Sequence, residues 1–416
     1  MSVFVPFKAY RPIQEKAKEV ACRPYDVLNE KEARKECEGN PVSFYHVIKP
    51  EIDFPDDHDH YAPEIYQKGK ENFDALVSNG TMVQDENPSF YVYQLNMDWH
   101  EQTGLVGCCS IDDYFNNVIK KHELTRPDKE EDRKNHIRAS KLNYEPVFFS
   151  YPKVTDIDAL VNSVKENTPE YDFISDDGIR HTLWQITRKD LINTLEKLFA
   201  EKVPKIYVAD GHHRTAAGAL VGQELRDARG GQPEDGGRDN YFMAVLFPDD
   251  QMKILDYNRV VKDLNGLTPD QFIQLLSNSF NIKLESESVR PSAPHTFGMY
   301  LDGKWYHLTA KNGTYNGNPI GQLDVTILSK HLLEPILNIV DLRTDKRIDF
   351  VGGMRGLGEL ENRVDSGEMK VAFSMYPVSM QQLIDIADNG LLMPPKVTWF
   401  EPKLRSGLFV HALEGK

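Results

Sequence analysis

The 416-residue sequence predicts an α+β protein, with a mixed-sheet core and a second α/β lobe. Two observations carry that expectation. Apolar runs of strand length and amphipathic stretches of helix length both recur, but not as a regular βαβ series. Turn-flanked strand pairs, the mark of antiparallel hairpins, stand among them. Hydrophobic residues make up 40% and aromatics 10%, enough apolar surface for a substantial core. The sequence shows no internal repeat, which excludes solenoid and propeller architectures.

The elements follow in chain order. Arg11-Pro12 lead into a polar helical stretch that breaks at Pro24-Tyr25-Asp26-Val27. Asn29 then caps a helix with acidic residues in its first turn. Val42–Ile48 reads as a strand ended by Lys49-Pro50. Residues 52–60 form an acidic loop. Within it, Asp56-Asp57-His58-Asp59-His60 lacks a second ligand group at metal-site spacing. Tyr61–Asn79 is an amphipathic helix closed by Gly80. Ser89–Leu95 and Gly104–Ile111 are paired strands, with 98–103 as their turn.

A charge-dense helix follows Pro127. Strands are expected over 146–151 and 179–186, and helices over 156–166 and 190–200. Lys205–Ala209 is a buried-type strand that ends at Asp210-Gly211, where a helix begins at once. Residues 224–240, rich in Gly, Asp and Arg, read as a flexible insert, and 241–247 as a buried strand. Composition shifts around 258–267. A helix near 269–280 and a hairpin turned by Asp302-Gly303 come next. The expected organisation is a core over 1–257, a second lobe over 258–390, and a basic, proline-rich arm over 391–416.

Charge and cysteine usage narrow the function classes. Lys and Arg number 49 against 64 Asp and Glu, a formal charge of −15. Such a chain repels a nucleic-acid backbone, so nucleic acid is a disfavoured partner. No apolar run approaches the roughly 20 residues of a membrane span, so no membrane partner is expected. Cys22, Cys37, Cys108 and Cys109 include no CxxC pair and read as reduced thiols. The start of the chain has no secretory pattern. A cytoplasmic protein is the expectation.

The sharpest local signal is Asp210-Gly211-His212-His213-Arg214-Thr215. A buried strand delivers a carboxylate, a glycine permits a tight turn, and a helix begins under two imidazoles and a guanidinium. Free N–H groups at a helix start favour an anion. Arg214 can grip phosphate with two parallel hydrogen bonds. His213 can donate to phosphate or carry a proton. Asp210 can hold Mg²⁺ or orient a histidine. Alternatively, the same residues cap a strand end and pair with one another.

Two weaker signals accompany it. Lys121-His122-Glu123-Leu124-Thr125 offers a cation, a proton carrier, a metal ligand and a hydroxyl, but equally fits a solvated helix face. The tail carries Lys396, Thr398, Lys403, Arg405 and Ser406 on a proline-stiffened segment, which suits a polyphosphate cradle or a surface-packed extended tail. Gly352-Gly353-Met354-Arg355-Gly356 fails the P-loop pattern and reads as a strand-to-helix turn. No Gly-x-Ser-x-Gly elbow supports a hydrolase.

These motifs are similar to those of a ParB/sulfiredoxin-like family that includes free L-serine kinases, some of them pyrophosphate-dependent. The resemblance rests on Pro24-Tyr25-Asp26-Val27, His122-Glu123-Leu124-Thr125, Asp210-Gly211-His212-His213-Arg214, Asn258-Arg259, and the tail from Met393-Pro394-Pro395-Lys396 to Lys403 and Ser406-Gly407. Val397 stands where a Ser is expected.

The resemblance implies a ParB/sulfiredoxin-like core with an active-site cleft between it and the second lobe, to which the arm over 391–416 returns. It also implies phosphorylation of free L-serine to O-phospho-L-serine, with Mg²⁺ as cofactor and pyrophosphate, ADP or ATP as donor. The lack of a Walker loop favours pyrophosphate. On this reading Asp26, Glu123 and His213 are catalytic, with Asp26 the first candidate for the base. Gly211, His212, Arg214, Thr215, Lys396, Thr398, Lys403 and Ser406 bind phosphate. Tyr25, His122, Thr125 and Arg259 bind substrate, and Asp210 holds the metal. The rivals are a ParB-like nucleotide- or nucleic-acid-binding protein without kinase activity, a sulfiredoxin-like reductase, and a phosphometabolite sensor.

Overall fold

The computed structural model describes residues 1–232 and 235–414. Two units divide the chain, one of residues 1–252 with 402–416 and the other of residues 253–401. The first boundary therefore falls at Lys253 rather than near Asn258. The tail expected as a single arm is split, with 391–401 in the second unit and 402–414 in the first.

In the first unit the sheet grows from its longest strands. Phe90–Met97 pairs with His100–Ser110 from Tyr91↔Val106 to Met97↔His100. The turn is therefore Asp98-Trp99, tighter than 98–103. Residues 100–103 stay in the ladder while Gln94 and Asn96 donate to Glu101 across it. The nine-stranded sheet runs Ile119–Lys120, Ile206–Asp210, Val147–Tyr151, Tyr241–Pro248, His100–Ser110, Phe90–Met97, Arg180–Ile186, Tyr171–Ile174, with Phe4–Val5 also on His100–Ser110. Ile206–Asp210 is parallel to Ile119–Lys120 and antiparallel to Val147–Tyr151, so the sheet is mixed. Helices Thr155–Lys165 and Lys189–Lys202 bury Ile157, Leu160, Leu195 and Phe199 in the same cluster as Phe149 and Leu246 of the sheet.

The expected strand over 42–48 is instead a short helix, Tyr45–Ile48. Phe44, Val47 and Ile48 recur at helical spacing and pack in a cluster with Phe73 and Leu76. A seven-residue apolar run does not distinguish the two periods. Helix His212–Ala228 covers the start of the insert expected over 224–240, and Arg238–Asn240 form a 3-10 turn. Pro233 and Glu234 of that insert lie outside the described residues.

The second unit has a six-stranded antiparallel sheet in the order Phe280–Glu285, Lys304–Ala310, Thr296–Leu301, Val371–Met375, Tyr257–Val261, Ile348–Gly352. Its hairpin turns at Asp302-Gly303, with φ of 51° and 71°. Both values lie in the left-handed region that a two-residue turn of this hand needs. Gly352–Gly358 is the strand-to-helix turn that the sequence suggests. No helix of the described residues is long and apolar enough to cross a membrane.

Candidate functional site

The site is built on the junction between strand Ile206–Asp210 and helix His212–Ala228. Gly211 joins them at φ 88°, a conformation that L side chains rarely adopt. A Cβ there would also sit 3.1 Å from Nε and Nη2 of Arg214. The glycine thus lets the chain turn and lets the guanidinium lie over the turn. The Thr215 N–H and hydroxyl both donate to the Gly211 carbonyl, at 2.8 and 2.9 Å. Thr215 therefore closes the first helical turn with the groups expected to meet phosphate.

Arg214 is buried, with 8% of its surface exposed. Nη1 donates to the Pro146 carbonyl at 3.0 Å. Nη2 lies 3.9 Å from Asp26 and 3.7 Å from Asp210. Nε is buried and finds no hydrogen-bond partner among the described residues. Burial works against the charge, but Asp26, Glu145 and Asp210 more than offset it and hold the pKa above its ordinary value.

Lys403 donates to Asp210 at 3.0 Å. Burial pushes the Asp210 carboxyl up, yet Lys403 and Arg214 overcome this and hold it well below the usual carboxylate range. The carboxylate expected to hold Mg²⁺ is therefore engaged by two cations. Among the described residues no group of three His, Cys, Asp or Glu side chains is arranged to hold a metal ion. Engaged in this way, Asp210 is not free to serve as a metal ligand.

The imidazoles are neutral at physiological pH. Burial lowers the pKa of His212 to about 4. Its ring meets His122 edge-on at 4.5 Å, its Nδ1 is 3.9 Å from Glu123, and its Nε2 is buried without a partner among the described residues. Burial and His212 also push His122 well below its ordinary value. His213 is half-buried and likewise lowered by burial. Its Nε2 accepts the Arg126 N–H at 3.0 Å, which leaves the ring proton on Nδ1. The Thr125 hydroxyl donates to Glu130 at 2.7 Å.

Asp26 sits on a turn closed by Val27 N–H to the Pro24 carbonyl, with its side chain 39% exposed. The preceding Tyr25 N–H donates to Glu145 at 3.1 Å, and the Arg133 guanidinium lies 4.0 Å over the Tyr25 ring. Ser406 also donates to Glu145, at 3.0 Å, while its backbone pairs with Cys22. Burial raises the Glu145 carboxyl, and Arg214 and Arg133 pull it back. Glu145 and Arg133 tie the Asp26 turn to the Arg214 corner, yet neither stands out in the sequence. The usable signal was a carboxylate set between Tyr144 and a buried strand. Arg133 is lost in a helix dense with charge.

The structure thus brings Asp26, Asp210, Arg214 and Lys403 together, and sets His212 against His122 and Glu123. Arg259, Lys396 and Thr398 belong to the second unit. There Arg259 donates to the Lys396 carbonyl at 2.8 Å, and the exposed Lys396 lies 5.8 Å from the Tyr257 ring.

Fold and site define an α+β protein with a mixed sheet, a second antiparallel sheet, and a buried cationic strand-to-helix corner. The chain belongs to the family described as "Protein of unknown function (DUF1015)", whose model matches residues 4–326. No curated protein matches it. Three solved structures are among those similar to it. One is a free serine kinase variant in complex with AMP, at 12% identity over 71% of this chain and 87% of that one, TM-score 0.37. Another is a conserved hypothetical protein from Pyrococcus furiosus, at 14% over 70% and 88%, TM-score 0.34. The third is SbnI with C-terminal truncation from Staphylococcus aureus, at 13% over 72% and 85%, TM-score 0.34.

Proposed function

We propose that the chain is a phosphotransferase that phosphorylates free L-serine to O-phospho-L-serine. Pyrophosphate is the favoured donor, with ADP or ATP as alternatives. The observation that carries this reading is the Arg214 corner. A buried guanidinium whose Nε has no partner among the described residues lies at the start of a long helix, and shares Asp210 with Lys403. Phosphoryl transfer asks mainly for such positioning and charge neutralisation, and needs no covalent protein nucleophile.

Arg214 and Lys403 neutralise the donor oxygens, and the free N–H groups of the helix start receive one of them. The neutral imidazoles serve as donors rather than cations, His213 through Nδ1. Asp26, held near Arg214 and partly exposed, takes the serine hydroxyl proton. The serine oxygen then bonds to the terminal phosphorus as the bridging P–O bond breaks, and inorganic phosphate leaves when the donor is pyrophosphate. Mg²⁺ belongs to this scheme only as the donor's own chelate, part of the substrate. The lack of a Walker loop in the sequence supports pyrophosphate over a nucleotide.

The test is direct. Pure protein is incubated with L-serine, Mg²⁺ and one donor per tube, and phosphoserine is measured by mass spectrometry. Product with at least one donor is expected, and Arg214→Ala should abolish it while circular dichroism stays unchanged. No product with any donor would sink the reading, and full turnover by Arg214→Ala would remove this corner from it.

A further inference from the structure

We propose that the cavity behind Glu145 in the first unit is a buried water site, and that through its waters His136 and Asn143 position the Glu145 carboxylate that carries the Asp26 turn. The cavity has a volume of about 40 Å³, and Arg133, His136, Asn143, Glu145 and Arg214 line it among mostly apolar walls. At roughly 10–15 Å³ per molecule, that is room for about three waters and too little for a metabolite.

His136 is the clearest sign of an occupant. It stands on helix Pro127–Ser140 with 3% of its surface exposed. Its ring meets Tyr66 and Tyr144 edge-on, at 5.8 and 5.2 Å. Neither ring nitrogen has a hydrogen-bond partner among the described residues. Burial, and then Arg133, push its pKa well below the ordinary value. The ring is therefore neutral, with one donor and one acceptor. Asn143, on strand Leu142–Asn143, is 6% exposed, and its Oδ1 is buried without a partner among the described residues. Buried polar groups of this kind cost free energy unless something pairs with them.

The chemistry of the lining selects water. Its charges are already matched. Arg133 donates to Asp132 at 2.8 Å and lies 3.9 Å from Oε2 of Glu145, and Arg214 lies 3.7 Å from Asp210. A cation would meet two guanidiniums, and an anion would meet Glu145 and the Asn143 oxygen. A small neutral molecule that both donates and accepts satisfies the imidazole and the amide together. The 3.9 Å gap between Arg133 and Glu145 is also one that a water can bridge. Oε1 of Glu145 accepts the Tyr25 N–H and the Ser406 hydroxyl. Waters that fix this carboxylate therefore fix the turn that carries Asp26, and His136 and Asn143 are positioning residues.

The role of Asp26 as base rests on the kinase reading. The water site and its hold on the turn do not, and neither test uses turnover. Crystal structures of the full-length wild type, His136→Phe and His136→Gln are compared at a resolution that shows ordered water. Phe keeps a ring against Tyr66 and Tyr144 but removes both nitrogens, whereas Gln keeps a donor and an acceptor. Wild type and His136→Gln should hold ordered water within hydrogen-bond distance of residue 136, and His136→Phe should lose it. Exchange of the Tyr25 amide, followed by NMR, reads the hold on the turn. It should be at least tenfold faster in His136→Phe and return to the wild-type rate in His136→Gln, while 127–140 exchange alike in all three. Should His136→Phe fail to fold, Asn143→Leu, which removes the amide at similar volume, is read in the same way. A dry cavity in wild type, an ion in place of water, unchanged Tyr25 exchange, no rescue by Gln, or faster exchange spread through 127–140 would overturn the proposal. A failed phosphoserine assay would leave it standing.

Discussion

At Gly211 one residue carries two demands, a left-handed φ and room for the Arg214 guanidinium. Gly211→Ala should cost about 1–2 kcal/mol from backbone strain and displace Arg214. Thermal unfolding should show the loss of stability, and any phosphoserine formation should fall further than stability alone explains. The Asp210–Lys403 pair makes a second residue-scale prediction. Asp210 is held below the usual carboxylate range, so its contribution to stability is present above its unfolded pKa, roughly 3.9. That contribution is lost as pH falls toward the depressed folded value. Lys403→Met removes the hydrogen-bonded partner but leaves Arg214 at 3.7 Å, so a loss of about 1–3 kcal/mol is expected at pH 7. The gap between variant and wild type should narrow below about pH 4, as urea midpoints at pH 7 and pH 3 would show. An unchanged gap would mean that Lys403 acts through packing instead.

At the scale of elements, local chemistry was legible where one residue dictates the backbone. Asp302-Gly303 requires a two-residue turn, Gly80 closes helix Pro63–Ser78 at φ 77°, and Asn29 caps its helix as expected, in a capping box with Glu32. Asp210-Gly211 was legible for the same reason. Failure came where partners distant in sequence decide. Tyr45–Ile48 is helical because its apolar side chains join Phe73 and Leu76, and because Asn72 donates to the His46 carbonyl at 2.7 Å. Nothing within 42–48 reports either fact. Glu145 and Arg133 were missed likewise, since their meaning lies in Tyr25, Asp26 and Arg214, far along the chain. Asn72 also donates to Asp53 at 2.8 Å. Asn72→Ala should therefore cost about 1–2 kcal/mol, read from urea unfolding at pH 7. A change within error would show that the helix stands on its apolar contacts alone.

At the scale of the whole molecule, the last residues matter more as structure than the sequence suggested. Residues 402–414 are not an appended arm but part of the first unit. Phe409 is fully buried with its ring 4.9 Å from Tyr91, Val410 and Tyr10 exchange backbone hydrogen bonds, and His411 pairs with Asn143. Arg405 is buried and donates to His181 and Ser175. The second unit is thus an insertion in the first, and its two ends lie side by side. The Leu255 N–H donates to the Trp399 carbonyl at 2.9 Å, and the Glu401 N–H to the Lys253 carbonyl at 3.2 Å. A short Gly-Ser linker can therefore join Met252 to Pro402 in place of 253–401. That protein should fold and unfold cooperatively, because the sheet, its helices and the closing segment are all retained. Residues 1–252 alone should not, because removing Phe409 and Val410 strips large apolar side chains from the core, at about 2–5 kcal/mol for each such residue, and leaves the Tyr10 backbone unpaired. Near-ultraviolet circular dichroism and urea unfolding of the two proteins would decide. Equal folding of both would return the C-terminal segment to the role of a dispensable arm.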